Sequence, residues 1–225
     1  MSLKLYFDLM SQPSRALFIM LKKYNIPFQE CLVNLGKGEH MTDEYSNEVS
    51  RFQKVPVIKD GDFILTESIA ILRYLQREKG LPEHIYPSTS KEQARVDEFL
   101  EWQHNNLRLF CASYFQFKFL LPRTAGIQMD EGIVNLYTTK MEETLDNMEK
   151  LWIQNKAFIN GDKISAADIW AICEIEQPRM AGYNPREGRP ILNAWMDRVQ
   201  ATLNPYFDEA HKIVNKIVSK SKAKL

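Results

Sequence analysis

The chain has 225 residues, 44% hydrophobic and 26% charged, enough for one large or two modest domains of ordinary globular composition. Lys plus Arg and Asp plus Glu both number 29, which argues against a general nucleic-acid binder with a phosphate-neutralising surplus. No apolar run approaches the ~20 residues of a membrane-crossing helix, and the opening residues lack a signal-peptide pattern.

Leu3–Phe7 reads as a short strand. Pro13 to Tyr24 carries Leu17, Phe18, Leu21 and Tyr24 at helical spacing. Phe28–Val33 reads as a second strand, parallel to the first because a helix intervenes. Val55–Lys59 and Phe63–Leu65 flank Asp60-Gly61, a type I′ hairpin signal. Ser68 to Arg77 shows a helical face of Ile69, Leu72 and Leu75. This order describes a small α/β domain over residues 1–79, followed by a Pro-, Gly- and Ser-containing linker over 80–90. From 91 to 225 strand signals vanish. One long helix is marked by Val96, Phe99, Leu100, Leu107, Phe110 and Tyr114, another by Ile133 through Trp152. Shorter helices are expected at about 165–177, 190–202 and 206–219.

Cys31, Cys111 and Cys173 are odd in number and far apart, which fits a reducing, cytoplasmic compartment and buried, unreactive thiols. Without H-E-x-x-H or clustered Cys and His, no metal is expected. Ile164 to Ile169 carries a structural signature. Ser165 caps a helix, Asp168 reaches back to it, and Ile164 meets Ile169 as a staple.

Three short stretches carry chemistry. In Phe7 to Ala16 (F-D-L-M-S-Q-P-S-R-A) a strand runs into a helix, with Ser11 at the cap and Pro13 in the first turn. Val55-Pro56 sits where a proline cannot donate to a strand ladder. A cis bond there would turn Val55's N–H and C=O outward for an extended peptide, although a plain trans proline at a strand start reads equally well. Thr66-Glu67-Ser68 stands at a strand–helix junction suited to anions, or to simple N-capping. All three fall at strand ends of one sheet, where such folds bind ligands.

The first stretch resembles the C-x-P-C turn of thioredoxin-type redox proteins with both cysteines replaced, by Ser11 and Ser14. Together, S-Q-P-S-R-A, K-V-P and T-E-S-x-A-I ahead of an all-helical domain resemble the cytosolic glutathione transferases, and within them the theta class. K-G-x-H, D-G-D-F-x-L-T-E-S and E-G-R-P add to the likeness, which runs from Leu3 to about Ala210. The resemblance implies an α/β plus all-α architecture: a thioredoxin-like domain with a mixed four-stranded sheet, then a helical bundle.

The resemblance also implies a division of roles. The sulfur arrives with glutathione, and Ser11 donates to its thiolate. Tyr6 is read as sheet core and Ser14 as a weaker donor. His40 and Lys54 hold the glycyl carboxylate, with Met41 helping only through its backbone. Val55, next to Pro56, pairs with the cysteinyl unit. Glu67 and Ser68 take the γ-glutamyl ammonium and carboxylate. Arg108 faces the sulfur, where it would stabilise thiolate or a departing anion, while Asn105 stands where some relatives carry an acid reaching the partner subunit's glutathione. Met10, Phe110, Tyr114 and Phe115 are the candidates for an apolar electrophile pocket. By helical spacing alone, Phe110, Tyr114 and Phe117 read as core, leaving Phe115 and Phe119 as an exposed wall.

The implied activity is conjugation of glutathione to small hydrophobic electrophiles such as alkyl halides, epoxides and activated alkenes, a detoxification chemistry performed by a homodimer. Reduction of organic hydroperoxides at the same site and a non-catalytic module are the alternatives. The final Ala223-Lys224-Leu225 is a loose peroxisomal address or, more simply, a basic solvated tail. The chain ends earlier than theta-class relatives often do, so a more open site is expected.

Overall fold

Leu3, Leu5 and Phe7 are buried while Lys4 and Tyr6 are half-exposed, and this period-two pattern builds β1 (Lys4–Phe7). In the computed structural model, which describes residues 3–222, β1 is one of the two inner strands of a four-stranded mixed sheet ordered β2-β1-β3-β4. β2 (Gln29–Leu32) runs parallel to β1 after the crossover helix α1 (Gln12–Lys23). β3 (Val57–Asp60) and β4 (Phe63–Thr66) are antiparallel. Tyr6 therefore lies on the face away from the core, half-buried beside Cys31, and not in the core as expected.

β3 starts two residues later than the sequence suggests because Pro56 has no N–H to give the ladder. In the hairpin, Asp60 pairs with Phe63, and φ is positive at Gly61 (62°) alone of the two loop residues. That is the type II′ pattern instead of the expected I′. Helix α2 (Asp43–Glu48), capped by Thr42 accepting from the Tyr45 N–H, was not foreseen. Six residues with no apolar periodicity leave little signal. α3 (Ser68–Lys79) stops at Gly80, whose φ of 66° suits a glycine C-cap.

The helical domain follows. α4 (Ser90–Gln103), α5 (Leu109–Phe115) and α6 (Leu121–Thr124) form one continuous rod through two π-turns at His104–Arg108 and Gln116–Leu120. α7 (Glu131–Asn147) ends in a third π-turn, Met148–Ile153. α8 (Ala166–Ile175) is buried throughout, and a 3₁₀ turn, Gln177–Ala181, follows it. α9 (Pro190–Leu203) precedes α10 (Tyr206–Ala210) and α11 (Lys212–Lys222). The helix expected over 206–219 thus breaks at His211.

One hydrophobic core runs through both regions, because α1 packs on the sheet with one side and on α8 and α10 with the other. Cys111 and Cys173 lie inside it, where burial pushes the Cys111 thiol well up and that of Cys173 to about 12. Cys31 is only half-buried, unlike the expectation. Asp168 completes the capping box of α8 and is wholly buried. Its carboxylate accepts from the Ile159 N–H (2.8 Å), the Ser165 N–H (2.9 Å), the Ser165 hydroxyl (3.0 Å) and the Trp195 indole (2.9 Å). Burial pushes its pKa up and all four donors pull it back. Asp168→Ala strands those donors in the core, so a loss of about 3 kcal/mol is expected in urea denaturation, with smaller losses for exposed carboxylates.

His211 is also fully buried; Nδ1 donates to the Phe207 carbonyl at 2.9 Å while Nε2 has no partner. Burial first, then Arg15 and Arg179, holds its pKa well below the ordinary value of 6.5. A base depressed by folding binds fewer protons folded than unfolded, so its stability contribution is full above pH ~6.5 and falls below it, by up to ~1.4 kcal/mol per pH unit. Between pH 7 and 5 the wild type should therefore lose stability that His211→Phe retains, measured by chemical denaturation at each pH.

Candidate active site

Cα register brings the motifs to one place. Cys31, Tyr6, Val57 and Thr66 form a row across the four strands. β1 leaves that row toward Ser11, β3 enters it from Val55-Pro56, and β4 leaves it into Glu67-Ser68. The Val55–Pro56 bond is cis. Among the described residues neither the N–H nor the C=O of Val55 has a hydrogen-bond partner, and the residue is half-buried. β2, parallel to β1, leaves the same edge toward His40.

Ser11 is the N-cap of α1, half-buried, with φ −85° and ψ 125°. Its carbonyl accepts the Arg15 N–H at 3.0 Å, but its hydroxyl caps nothing and makes no hydrogen bond among the described residues. α1 also has no acid in its first turn. Its positive end and a free hydroxyl therefore face outward together, a combination suited to an anion. Ser14 is different: it is fully buried and its hydroxyl has no partner, so it is turned away from solvent.

Glu67 shows the second departure from routine structure. Its φ of 65° is in the left-handed region, unusual for a residue with a side chain. Such a conformation costs on the order of 1–3 kcal/mol and persists where surroundings impose it, often at a binding site. Glu67 is exposed, and α3 behind it carries no side-chain cap. Ser68, the first residue of α3, is nearly buried, and its Oγ accepts from the Trp170 indole N–H of α8 at 3.1 Å. With one lone pair so engaged, the hydroxyl's single proton is directed to another acceptor.

His40 lies in a 3₁₀ turn, Glu39–Met41, half-buried with Nδ1 enclosed and unpartnered. Met41 is 60% exposed, and its carbonyl accepts from Gln53 Nε2 at 2.9 Å. Lys54 is exposed, with its carbonyl held by the Tyr45 hydroxyl at 2.9 Å. Gln53 and Tyr45 thus tie the His40 turn to the segment entering β3, a role their sequence positions do not announce.

Arg108 sits at the end of the first π-turn, and its Nη1 donates to Glu174 Oε1 at 2.5 Å. Its side chain remains 36% exposed while that of Glu174 is 1% exposed. The Glu174 charge holds the Arg108 pKa up against burial, with Glu67 adding to it. Asn105, in the same π-turn, is exposed.

The four pocket candidates separate. Met10 and Phe115 meet in a small apolar cluster with Met180 and Val214, joined by Phe119 and Val218. Helix α11 contributes Val214 and Val218, so it forms part of this wall. Tyr114 packs on Tyr183 (centroids 5.6 Å) and Phe110 on Tyr137 (5.9 Å), both against the main core. Each π-turn inserts a residue into the 3.6-residue period. That re-phasing buries Phe115 and leaves Phe110 and Phe117 half-buried, contrary to their spacing.

Arg15 was quoted as part of a motif and assigned no role. It is fully buried. Nη1 donates to the carbonyls of Leu9 (2.8 Å) and Met10 (3.4 Å), and Nη2 to the Cys173 carbonyl (2.9 Å) and Gln177 Oε1 (2.6 Å). Gln177 Nε2 donates back to the Met10 carbonyl at 3.2 Å. The loop leading into Ser11 is therefore bolted to the helical domain. On its other side Asp8 accepts from the N–H groups of Met10 (2.8 Å) and Leu35 (3.0 Å).

A thioredoxin-like sheet followed by a helical domain is the plan of one known family. The family descriptions "Glutathione S-transferase, N-terminal domain" and "Glutathione S-transferase, C-terminal domain" match residues 1–77 and 134–202. The chain belongs to the glutathione transferases and is an enzyme. Its relatives are of the theta class. Glutathione S-transferase theta-1 of Bos taurus is 44% identical over 217 residues, covering 96% of this chain and 90% of that one. The apo form of human glutathione-S-transferase T1-1 superposes with a TM-score of 0.91 at 42% identity, over 96% of this chain and 91% of the other. The human theta-class transferase in complex with the glutathione conjugate of 1-menaphthyl sulfate gives 0.92 at 39% identity, over 100% and 91%.

Proposed function

We propose that this enzyme holds glutathione along the sheet edge and presents its thiolate, stabilised by Ser11, to small hydrophobic electrophiles. The observation carrying the reading is the Ser11 hydroxyl, uncommitted to capping and set at the uncapped N-terminus of α1. A thiol at a helix N-terminus ionises more readily than one in water, and a hydrogen bond to a charged group is worth ~1.5–3 kcal/mol.

Glutathione would lie with its cysteinyl backbone against Val55, whose two polar groups have no internal partner. Its γ-glutamyl carboxylate would accept hydrogen bonds from the Ser68 hydroxyl and the free N–H groups of α3, while Glu67 would accept from the ammonium. His40 and Lys54 would attract the glycyl carboxylate. The thiol proton leaves to solvent, the sulfur lone pair forms a C–S bond, and the bond to the leaving group breaks with its electron pair. Arg108, bound to Glu174 through one Nη and still partly exposed, retains donors for the departing anion. Met10 and Phe115 supply an apolar wall for the electrophile. The human theta-class structure with the glutathione conjugate of 1-menaphthyl sulfate supports a second substrate with an aromatic group.

Ser11→Ala should leave glutathione binding nearly intact and reduce kcat at least tenfold, about 1.4 kcal/mol. Steady-state rates with 1-menaphthyl sulfate, an alkyl halide and cumene hydroperoxide check this, and an unchanged kcat near neutral pH removes Ser11 from the mechanism. Trp170→Phe keeps the ring packing but frees the Ser68 hydroxyl to turn away. Loss of about 1 kcal/mol of orientation should raise KM for glutathione about fivefold with kcat preserved, as read from saturation curves.

A further inference from the structure

Around Arg15 the helical domain gathers an unequal set of charges. Arg108 is paired with Glu174, and Arg179 with Glu176, both glutamates being buried. Arg15, by contrast, makes no salt bridge among the described residues, and its four acceptors are three backbone carbonyls and the amide of Gln177. The remaining titratable groups facing it do not supply the missing anion. The Cys173 thiol is pushed to about 12 and is neutral, and His211 is neutral because burial and the arginines depress its pKa. Asp8, in the loop, turns its carboxylate to two N–H groups and forms no ion pair with Arg15 among the described residues. Glu174 and Glu176 are near enough to act on Arg15 but are each held by another arginine. One positive charge, shielded from water, therefore remains unanswered directly behind the loop that presents Ser11.

We propose that Arg15 is a positioning residue with a standing charge that favours the glutathione thiolate at Ser11, and that Gln177 keeps this charge unpaired by offering it an amide oxygen where a carboxylate would fit. The inference rests on the thiolate reading given above. The sulfur anion is the one counter-charge the cluster lacks. It is present only when glutathione is bound and ionised, so the field stabilises the reactive form selectively. Through the interior a charge acts further than in water: at an effective dielectric of about 20, a unit charge ~10 Å away shifts an ionisation midpoint by on the order of one pH unit.

Removing Arg15 would leave buried carbonyls without donors and confound the result with folding, so the test changes its partner. Gln177→Glu has the same shape and can pair with Arg15. Gln177→Met removes the amide without adding charge. The thiolate absorbance of bound glutathione is titrated in wild type and both variants, with the pH profile of kcat measured alongside. Gln177→Glu should raise the midpoint by about one pH unit and lower kcat about tenfold at neutral pH, recovering at higher pH, with KM for glutathione within about twofold. Gln177→Met should move the midpoint by less than a third of that. A lowered wild-type midpoint that Gln177→Glu leaves unchanged overturns the proposal alone, as does an equal rise in Gln177→Met, which would assign the effect to the Met10 hydrogen bond. A wild-type midpoint no lower than that of free glutathione removes the thiolate reading itself, and this inference with it.

Discussion

A guanidinium with no access to water holds the reactive loop of this enzyme to its helical domain. Arg15 spans from the carbonyls of Leu9 and Met10 to α8 and the turn behind it. A buried cation depends on the acceptors it keeps, and Arg15 Nε already has none, so pulling α1 from α8 would expose apolar surface and strip Nη2 of both its acceptors together. The entry into Ser11 is consequently more rigid than a loop of exposed residues would be. The scaffold and the site share this constraint, which is why the first helix of the sheet domain is buried on every side.

The sheet supplies the other half of the arrangement. Because Tyr6, Val57 and Thr66 stand in one row, the three connections at that edge are spaced by strand separation, about 4.8 Å each. An extended tripeptide fits such spacing through its backbone, with little demand on side-chain identity. The two demanding positions are the ones that depart from routine geometry: Val55, left with free polar groups, and Glu67, held at φ 65°. Trp170 joins this edge to α8 through Ser68, so both uncapped helix ends, those of α1 and α3, are braced by the same helix.

What the sequence disclosed and what it concealed divide by range. The strand–helix–strand order, the hairpin and the capping box at Ser165 are local, written in period, turn residues and short spacings. The proposed glutathione contacts rest on motif resemblance, since isolated His40 or Lys54 would read as an ordinary loop residue and a solvated charge. The π-turns were illegible because a single inserted residue leaves no compositional trace, and Phe115 was misread as a result. Arg15 was missed for a different reason: its partners Cys173 and Gln177 lie 158 and 162 residues away, and Trp170 lies 102 residues from Ser68. No pattern within a window encodes such pairs. The available hint was an arginine at the head of an apolar run, Ala16 to Leu21, in a helix flanked by apolar neighbours.

A redox turn that loses its cysteine must still ionise a thiol, but one that comes and goes. A resident thiolate could be balanced by a permanent ion pair; a transient one cannot, because the counter-charge would be idle for much of the cycle. On the reading proposed above, leaving Arg15 among neutral acceptors would answer this, at a cost in stability of the empty enzyme. The serine hydroxyl would then act at contact range and the arginine at long range, with no strong base required. On the same reading, proton loss to solvent would suffice, in keeping with a Ser11 hydroxyl that makes no hydrogen bond among the described residues.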